Sequence, residues 1–177
     1  MMDTAIEVRD VSNDMTIRIA GIVEDSIVDG RGIRMTIFTQ GCPHHCVGCH
    51  NPQTHDPSGG TKVKVSEIIE QMRSNPLLDG VTFSGGEPFE QRDAVEHIAH
   101  EAHLLRLDVW CYTGWTWEEI MRDPAKRGML AYIDVLVDGR FVLSQRSLEL
   151  KWRGSKNQRV IDVSESLFSN KIVELEE

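Results

Sequence analysis

The sequence predicts an α/β fold, in which the parallel β/α units of a small domain form an incomplete barrel. Apolar, β-branched strands alternate with segments of helical periodicity, and continuous apolar strands joined by helices form right-handed parallel units. The 177 residues are enough for one domain. They fall short of the ~250 residues typical of a complete eight-stranded α/β barrel. We expect a loose N-terminal leader over residues 1–15 and a single domain over residues 16–177.

Two strands and a long loop come first in the predicted domain. Thr16–Glu24 and Gly32–Thr39 are rich in β-branched residues, and a turn around Asp29-Gly30 separates them. The following segment, Gly41–Gly60, contains three prolines and four glycines, which interrupt regular structure. It is therefore predicted to be a long functional loop.

Strands and helices alternate in the next part of the chain. Apolar residues at helical spacing predict the helices, short apolar runs predict the strands, and a Thr-x-x-Glu capping box marks the start of the third helix. In chain order, the predicted elements are a helix over Ser66–Ser74, a strand over Gly80–Ser84, a helix over Gln91–Leu107, a strand over Asp108–Tyr112, a helix that begins at Thr116 with Glu119 in its first turn, and a strand over Ile133–Val137.

The composition is that of an ordinary globular protein with an acidic balance. Hydrophobic residues make up 40% and charged residues 27%, and 28 Asp and Glu outnumber 19 Lys and Arg, for a formal net charge of −9. This charge argues against nucleic acid or a membrane as a partner, because both attract basic proteins. We find no signal peptide and no apolar run near the ~20 residues of a membrane-spanning helix. We therefore expect a cytoplasmic protein.

Three of the four cysteines fall within a window of eight residues. Cys42, Cys46 and Cys49 have the spacing C-x3-C-x2-C, which is a poor framework for disulfides because so short a loop cannot pair three thiols. In a reducing compartment, clustered thiols usually hold a metal. Cys111 stands alone in an apolar strand, and we expect it to be a buried, free thiol.

The cysteine spacing leaves three interpretations open. Three soft ligands suit a [4Fe–4S] cluster in which one iron has no protein ligand and can bind another molecule. A structural zinc site is the second interpretation, with His44, His45 or His50 as the fourth ligand. The third is a set of plain buried thiols. We favour the cluster over the other two.

Several motifs resemble those of the radical S-adenosylmethionine superfamily, in particular its glycyl-radical enzyme activases. Asp29–Arg34 (DGRGIR) precedes the cysteines, and Gly85–Pro88 (GGEP) follows them about 40 residues later. Further segments resemble the C-terminal region of the anaerobic ribonucleoside-triphosphate reductase activating proteins. These segments are Ile133–Gly139, Arg140-Phe141, Trp152–Ser155 and Asn157–Arg159. The resemblance covers nearly everything from Arg18 to Val163.

The resemblance implies the chemistry of an oxidoreductase. In that family, an electron from a reduced [4Fe–4S] cluster cleaves the cosubstrate S-adenosylmethionine, whose amino and carboxylate groups chelate the open iron. The resulting 5′-deoxyadenosyl radical removes a hydrogen atom from a backbone glycine of a partner. The implied partners are the glycyl-radical subunit of anaerobic ribonucleoside-triphosphate reductase and a reduced flavodoxin-like electron donor. Two alternatives stay open: activation of another glycyl-radical enzyme of the formate-lyase type, and a zinc-binding module without catalysis.

The resemblance also assigns residues to the cofactors. The cluster ligands are Cys42, Cys46 and Cys49. The S-adenosylmethionine contacts are Gly48, Cys49, His50, Gly85, Gly86 and Glu87. The glycine pair lets the backbone approach the methionine amino group, and Glu87 either contacts that group or holds its loop. Many superfamily members have an aromatic residue directly before the third cysteine, where this chain has Gly48, and His50 is our candidate for the stacking surface.

Three other features are not assigned to the cofactors. The histidines of the second predicted helix avoid its apolar stripe and are expected on a solvated face; they are His97, His100 and His103. Trp152 lies between two basic residues and is predicted to belong to an interface or to the site. The acidic ending, Glu174–Glu177, is expected to be a frayed tail.

Overall fold

The structure is a computed structural model that describes residues 15–176, and its elements are built around one seven-stranded sheet. The strands are β1 (Thr16–Ser26), β2 (Arg34–Thr39), β3 (Thr61–Lys64), β4 (Gly80–Gly85), β5 (Asp108–Tyr112), β6 (Val135–Asp138) and β7 (Arg159–Asp162). Their order across the sheet is β3-β1-β2-β4-β5-β6-β7. The four strands β2, β4, β5 and β6 are parallel, whereas β1, β3 and β7 run antiparallel to their neighbours.

Helices connect the parallel strands and cover the sheet. They are α1 (Val65–Ser74), α2 (Arg92–Leu104), α3 (Trp117–Arg122), α4 (Pro124–Met129) and α5 (Val163–Ser169). Since the two end strands, β3 and β7, do not pair with each other, the β/α units form an open, partial barrel. The predicted fold class is therefore confirmed. The predicted capping box is present as well, because Thr116 and Glu119 exchange hydrogen bonds at the start of α3.

The core forms where the apolar stripes of the helices pack on the sheet. In α1 the buried side chains are Val65, Ile68, Ile69 and Met72, which recur at helical spacing. The central parallel strands are buried on both faces, as their continuous apolar sequences predict. Trp110 of β5 and Cys111 beside it are both almost fully buried, so Cys111 is the core thiol that the sequence predicts.

Some elements differ from the sequence-based expectation. β3, β7, α4 and α5 were not predicted, and three of these are only four to six residues long. The predicted frayed tail is wrong over its first residues: Glu174 forms a β-bridge with Ile161, and the Leu175 N–H donates to the Val160 carbonyl. The predicted leader lies outside the described residues, except that the Met15 carbonyl accepts a hydrogen bond from Val65.

One edge of the sheet collects the loops that carry the predicted motifs. Because β2, β4, β5 and β6 are parallel, their carboxyl ends lie at the same edge. The cysteine loop (Gly41–Gly60) follows β2, and Gly86 follows β4. Within the described residues, the helices are all too short or too polar to cross a membrane.

Candidate functional site

Backbone hydrogen bonds fix the cysteine loop at both of its ends. The Gly41 N–H donates to the Thr54 carbonyl at 2.8 Å, and the Cys42 N–H donates to the His55 carbonyl at 3.1 Å. The buried Gln40 side chain holds the far side of the loop through the carbonyls of Gln53 and Asp56. These contacts draw the long predicted loop back on itself, which places its cysteines over the carboxyl end of the sheet.

The three clustered cysteines line one small cavity. Their thiols are free and half-buried, and the cavity, of about 100 Å³, also contacts Gly85 and Gly86. Burial raises the pKa of the Cys42 thiol, and a hydrogen bond from the His44 backbone partly opposes that effect. The Asn51 N–H donates to Cys49 Sγ at 3.4 Å. We call this space the cysteine cavity.

The glycine pair at the end of β4 packs tightly against the end of β2 and the start of the cysteine loop. Gly85 has a φ of +89°, and a Cβ placed on it would lie 2.7 Å from Phe38 Cα. A Cβ on Gly86 would lie 2.4 Å from the Gly41 carbonyl oxygen. Any other residue at these positions would push the end of β4 away from β2 and from the cysteine loop. The glycines are therefore required by internal packing, in addition to any approach of a ligand.

Glu87 is fully buried and is surrounded by protein donors. Thr113 Oγ1 donates to it at 2.8 Å, and the backbone N–H of Gly114 donates at 2.9 Å. The Phe89 N–H donates at 3.2 Å, and His44 Nε2 lies 2.7 Å from Oε2. A buried carboxylate needs such partners. Of the two roles predicted for Glu87, these contacts favour holding its loop.

A larger cavity, of about 490 Å³, adjoins the cysteine cavity. The two cavities share a wall made of residues at the carboxyl ends of the parallel strands and in the facing loops. These residues are Cys49, Ser84, Gly85, Tyr112, Phe141 and Gln158. Burial strongly raises the pKa of the Tyr112 phenol, so this wall carries a neutral hydroxyl. A volume of this size is typical of a small-molecule site.

His50 and Trp152 both line the large cavity. The His50 ring lies 4.8 Å from the Phe141 ring and is tilted by 48°. Trp152 packs edge-on against Trp110 at 5.2 Å, and the Arg31 guanidinium lies over its ring. Gly48 is exposed and approaches Leu143, outside the lining of both cavities.

The histidines proposed as zinc ligands have other neighbours. His44 pairs with Glu87, His45 packs edge-on against His55 at 5.1 Å, and His50 contacts Phe141. Across residues 15–176, no three or more His, Cys, Asp or Glu side chains are gathered around a point that a single metal ion could occupy. The donor set that the structure does bring together consists of three thiols at one cavity, which is the set that an iron–sulfur cluster uses.

Sequence reasoning missed Tyr112, Phe141, Ser84 and Gln158. Ser84 is the last residue but one of β4, Tyr112 ends β5, and Phe141 follows β6 by three residues. Because a parallel sheet gathers such residues at one edge, strand position was a usable signal for these three. Gln158 offered no such signal, since it precedes the unpredicted strand β7.

Comparison with known proteins first defines the class. A family described as "4Fe-4S single cluster domain" matches residues 28–161, which is more than half of the chain. This match agrees with the thiol set of the cysteine cavity and confirms the predicted [4Fe–4S] cluster. The protein is thus an iron–sulfur α/β protein with a cavity of small-molecule size beside the loop that carries its three clustered cysteines.

Sequence relatives then define the family. An anaerobic ribonucleoside-triphosphate reductase-activating protein of Haemophilus influenzae is 37% identical over 142 residues, which cover 75% of this chain and 89% of that protein. The proteins of the same name from Vibrio cholerae and Escherichia coli strain K12 are 36% and 35% identical, with 75% and 76% of this chain covered and 89% and 91% of theirs. The chain belongs to the family of anaerobic ribonucleoside-triphosphate reductase-activating proteins.

One solved structure was also similar. The crystal structure of QueE from Escherichia coli matches 59% of this chain and 55% of that chain, with a TM-score of 0.45 and 15% sequence identity. That likeness is too low to add to the family assignment, which rests on the sequence relatives and on the matched iron–sulfur family.

Proposed function

We propose that this protein activates an anaerobic ribonucleoside-triphosphate reductase by installing a glycyl radical on it, with a [4Fe–4S] cluster and S-adenosylmethionine. One observation carries the proposal: three free thiols line a cavity that shares a wall with a second cavity large enough for a small molecule. When bound, the cluster supplies the electron that cleaves S-adenosylmethionine into methionine and a 5′-deoxyadenosyl radical. The protein's own residues bind, orient and shield these groups.

Cys42, Cys46 and Cys49 are the proposed cluster ligands. Their shared cavity leaves room on the side of Gly85 and Gly86, where backbone rather than side chain faces the thiols. Methionine's amino and carboxylate groups would therefore meet a wall without bulky side chains. In this proposal Glu87 acts through the loop that it holds, and not by direct contact with the ligand.

The large cavity is the proposed site for the adenosyl part of S-adenosylmethionine. Cys49 and His50 line it, and Tyr112, Phe141 and Trp152 add aromatic surface. His50 would provide the stacking face that many superfamily members place directly before the third cysteine. Gly48 lies outside this lining and would act through the backbone, which it leads with a φ of +74° into Cys49 and His50.

Replacement of His50 by Ala tests this placement. We expect S-adenosylmethionine affinity to fall by roughly 5- to 150-fold, because base–aromatic stacking contributes about 1–3 kcal/mol per base. Isothermal titration of the cluster-loaded protein measures the change. His100→Ala, at an exposed position of α2, is the matched control. An unchanged affinity for the His50 variant would remove the stacking role.

The partner that we propose is the glycyl-radical subunit of the reductase. The relatives favour it over a formate-lyase-type enzyme, because each of them is an anaerobic ribonucleoside-triphosphate reductase-activating protein. The sheet is open between β3 and β7, so a loop of a partner has a side from which to approach. We propose that the protein acts in the cytoplasm and that its partners include neither nucleic acid nor a membrane.

A reduced flavodoxin-like protein is the proposed electron donor. A third cavity, of about 540 Å³, reaches Cys42 past Arg18 and Pro43. It shares Cys42 and His55 with the cysteine cavity and no residue with the large cavity. Electrons could therefore enter on this side while S-adenosylmethionine occupies the other.

Metal analysis after anaerobic reconstitution separates this proposal from a zinc-binding module. We expect about four irons per chain and a brown protein. The Cys111→Ala variant should retain that iron, because its thiol is buried in the core away from the cavity, whereas Cys46→Ser should lose most of it. A colourless protein with one zinc per chain would contradict the enzymatic function.

A further inference from the structure

His44 stands between two proposed cluster ligands, yet its side chain is turned into the protein. The side chain is only 4% exposed, and its Nε2 lies 2.7 Å from Oε2 of Glu87, which has no exposed surface. Since a buried carboxylate is costly without a partner, this contact is a strong link. It joins the cysteine loop to the Gly85–Pro88 motif, two segments about 40 residues apart in the sequence.

The site around the His44 ring is shaped for it. The Trp115 ring meets the His44 ring edge-on at 4.6 Å. A Cβ on Gly114 would lie 2.3 Å from His44 Cδ2, so only glycine leaves space for the imidazole. Thr113 and Gly114 also donate to the same Glu87 carboxylate. The loops after β2, β4 and β5 therefore converge on one buried pair.

His44 also acts on a proposed ligand through its backbone. Its backbone N–H partly opposes the increase that burial causes in the pKa of the Cys42 thiol. Because the ring is locked against Glu87 and Trp115, this N–H is held in place as well. Hydrogen bonds to cysteine sulfur are one of the factors that set the reduction potential of an iron–sulfur cluster. Replacing a residue that orients a metal ligand typically lowers metal affinity or activity by roughly 10- to 100-fold.

We propose that His44 is a positioning residue, and that its pair with Glu87 is a clamp that fixes the Cys42 sulfur relative to the glycine pair. The inference rests on the proposed function only in that a cluster and S-adenosylmethionine bind here. The His44–Glu87 clamp has two consequences. It keeps the His44 N–H on the Cys42 sulfur, which favours the reduced cluster. It also keeps Gly85 and Gly86 against the cysteine cavity, which shapes the place where methionine binds.

The first test compares His44→Leu with His44→Gln in the cluster-loaded protein, with His100→Leu at an exposed position of α2 as the matched control. We expect His44→Leu to bind S-adenosylmethionine roughly 10- to 100-fold more weakly, the usual size of an effect on residues that orient metal ligands. Its cluster potential, followed by electron paramagnetic resonance during a redox titration, should become more negative. His44→Gln can still donate to Glu87 and should recover most of both properties. His100→Leu should behave like the wild type.

A second variant separates positioning from stability. In His44→Leu/Glu87→Gln no unpaired charge is buried, and the amide oxygen still accepts from Thr113 and Gly114, while the Phe89 N–H loses its acceptor. We expect this double variant to regain part of the thermal stability that His44→Leu loses in the apo-protein, while its weaker binding and altered potential remain.

The outcomes distinguish the clamp from the proposed function. Wild-type affinity and potential in the double variant, or in His44→Leu, would overturn the clamp alone. Equal losses in His44→Gln and His44→Leu would also overturn it, because the hydrogen bond would then not be the cause. A wild-type protein that takes up neither iron nor S-adenosylmethionine would overturn the proposed function, and the clamp with it.

Discussion

Arg34 is a fully buried charge at the start of β2. Its guanidinium donates to Asp108 Oδ1 at 2.7 Å and to Thr82 Oγ1 at 2.7 Å, and it lies over the Trp110 ring. Further bonds run to the carbonyls of Arg31, Val81 and Asp108. One residue thus links three parallel strands, and the Asp29–Arg34 motif serves the sheet as well as any role near the site.

Replacing Asp108 by Ala should destabilise the protein by about 1.5–3 kcal/mol, the range for a hydrogen bond to a charged group. The Asp108 side chain is 44% exposed, which keeps the loss below that of a fully buried pair. The free energy of unfolding in urea measures it. Asp93→Ala, whose side chain is 82% exposed beside Arg92, should change stability by less than about 0.5 kcal/mol. Equal effects of the two substitutions would contradict the assigned role of the Arg34 pair.

Several site residues could be predicted from sequence because their chemistry is local. Three thiols at C-x3-C-x2-C spacing indicate a metal, and a strand that ends in Gly85-Gly86 indicates a close approach. The partners of Glu87 could not be predicted in this way. Its contacts come from His44 and Thr113, which are 43 and 26 residues away, and only the fold brings them together.

At the scale of elements, one ion pair connects α3 to β7. Arg159 donates to both oxygens of Glu118 at 3.0 and 2.9 Å, and it also pairs with the buried Asp138 of β6. The Arg159 hydrogen bond lowers the pKa of Glu118 to about 2. The ion pair thereby links α3, which sequence patterning predicts, to β7, which it does not predict.

The lowered pKa gives this connection a pH dependence. Because the carboxyl is more acidic in the folded state than in the unfolded chain, its contribution is complete above the unfolded pKa of about 4.5 and is lost as the pH falls toward 2. Glu118 is half exposed, so the contribution should be under about 1 kcal/mol. The stability difference between the wild type and Glu118→Gln should therefore shrink from pH 6 to pH 3 in urea unfolding. A difference that is constant over this range would contradict the pairing.

The elements that sequence patterning missed have physical reasons in common. β3 is an edge strand of sequence TKVK. Its two lysines leave too few apolar residues for a strand pattern to be recognised, and charged residues on an edge strand prevent pairing with other chains. β7 has four residues, too few for periodicity to register. The chain end near Glu174 is held by backbone pairing with β7, and such pairing leaves no signature in side-chain composition.

At the scale of the whole molecule, the open sheet and the positions of the cavities are both consistent with one functional site at the carboxyl edge of the parallel strands. The parallel strands place the cysteine loop, the glycine pair and the aromatic wall at a single edge, and the cysteine cavity and the large cavity meet there. Sequence length and strand–helix alternation predicted the incomplete barrel. They did not predict that antiparallel strands would flank the parallel core on both sides, because that depends on the pairing of β1 and β7 with distant segments.

The central claim is that this protein installs a glycyl radical on a reductase, and electron paramagnetic resonance tests it most directly. The cluster-loaded protein is mixed anaerobically with the glycyl-radical subunit of an anaerobic ribonucleoside-triphosphate reductase, S-adenosylmethionine and a reductant. We predict a glycyl radical signal that requires every component, is retained in Cys111→Ala and is absent in Cys46→Ser. No signal from the complete wild-type mixture, or an undiminished signal from Cys46→Ser, would contradict the account.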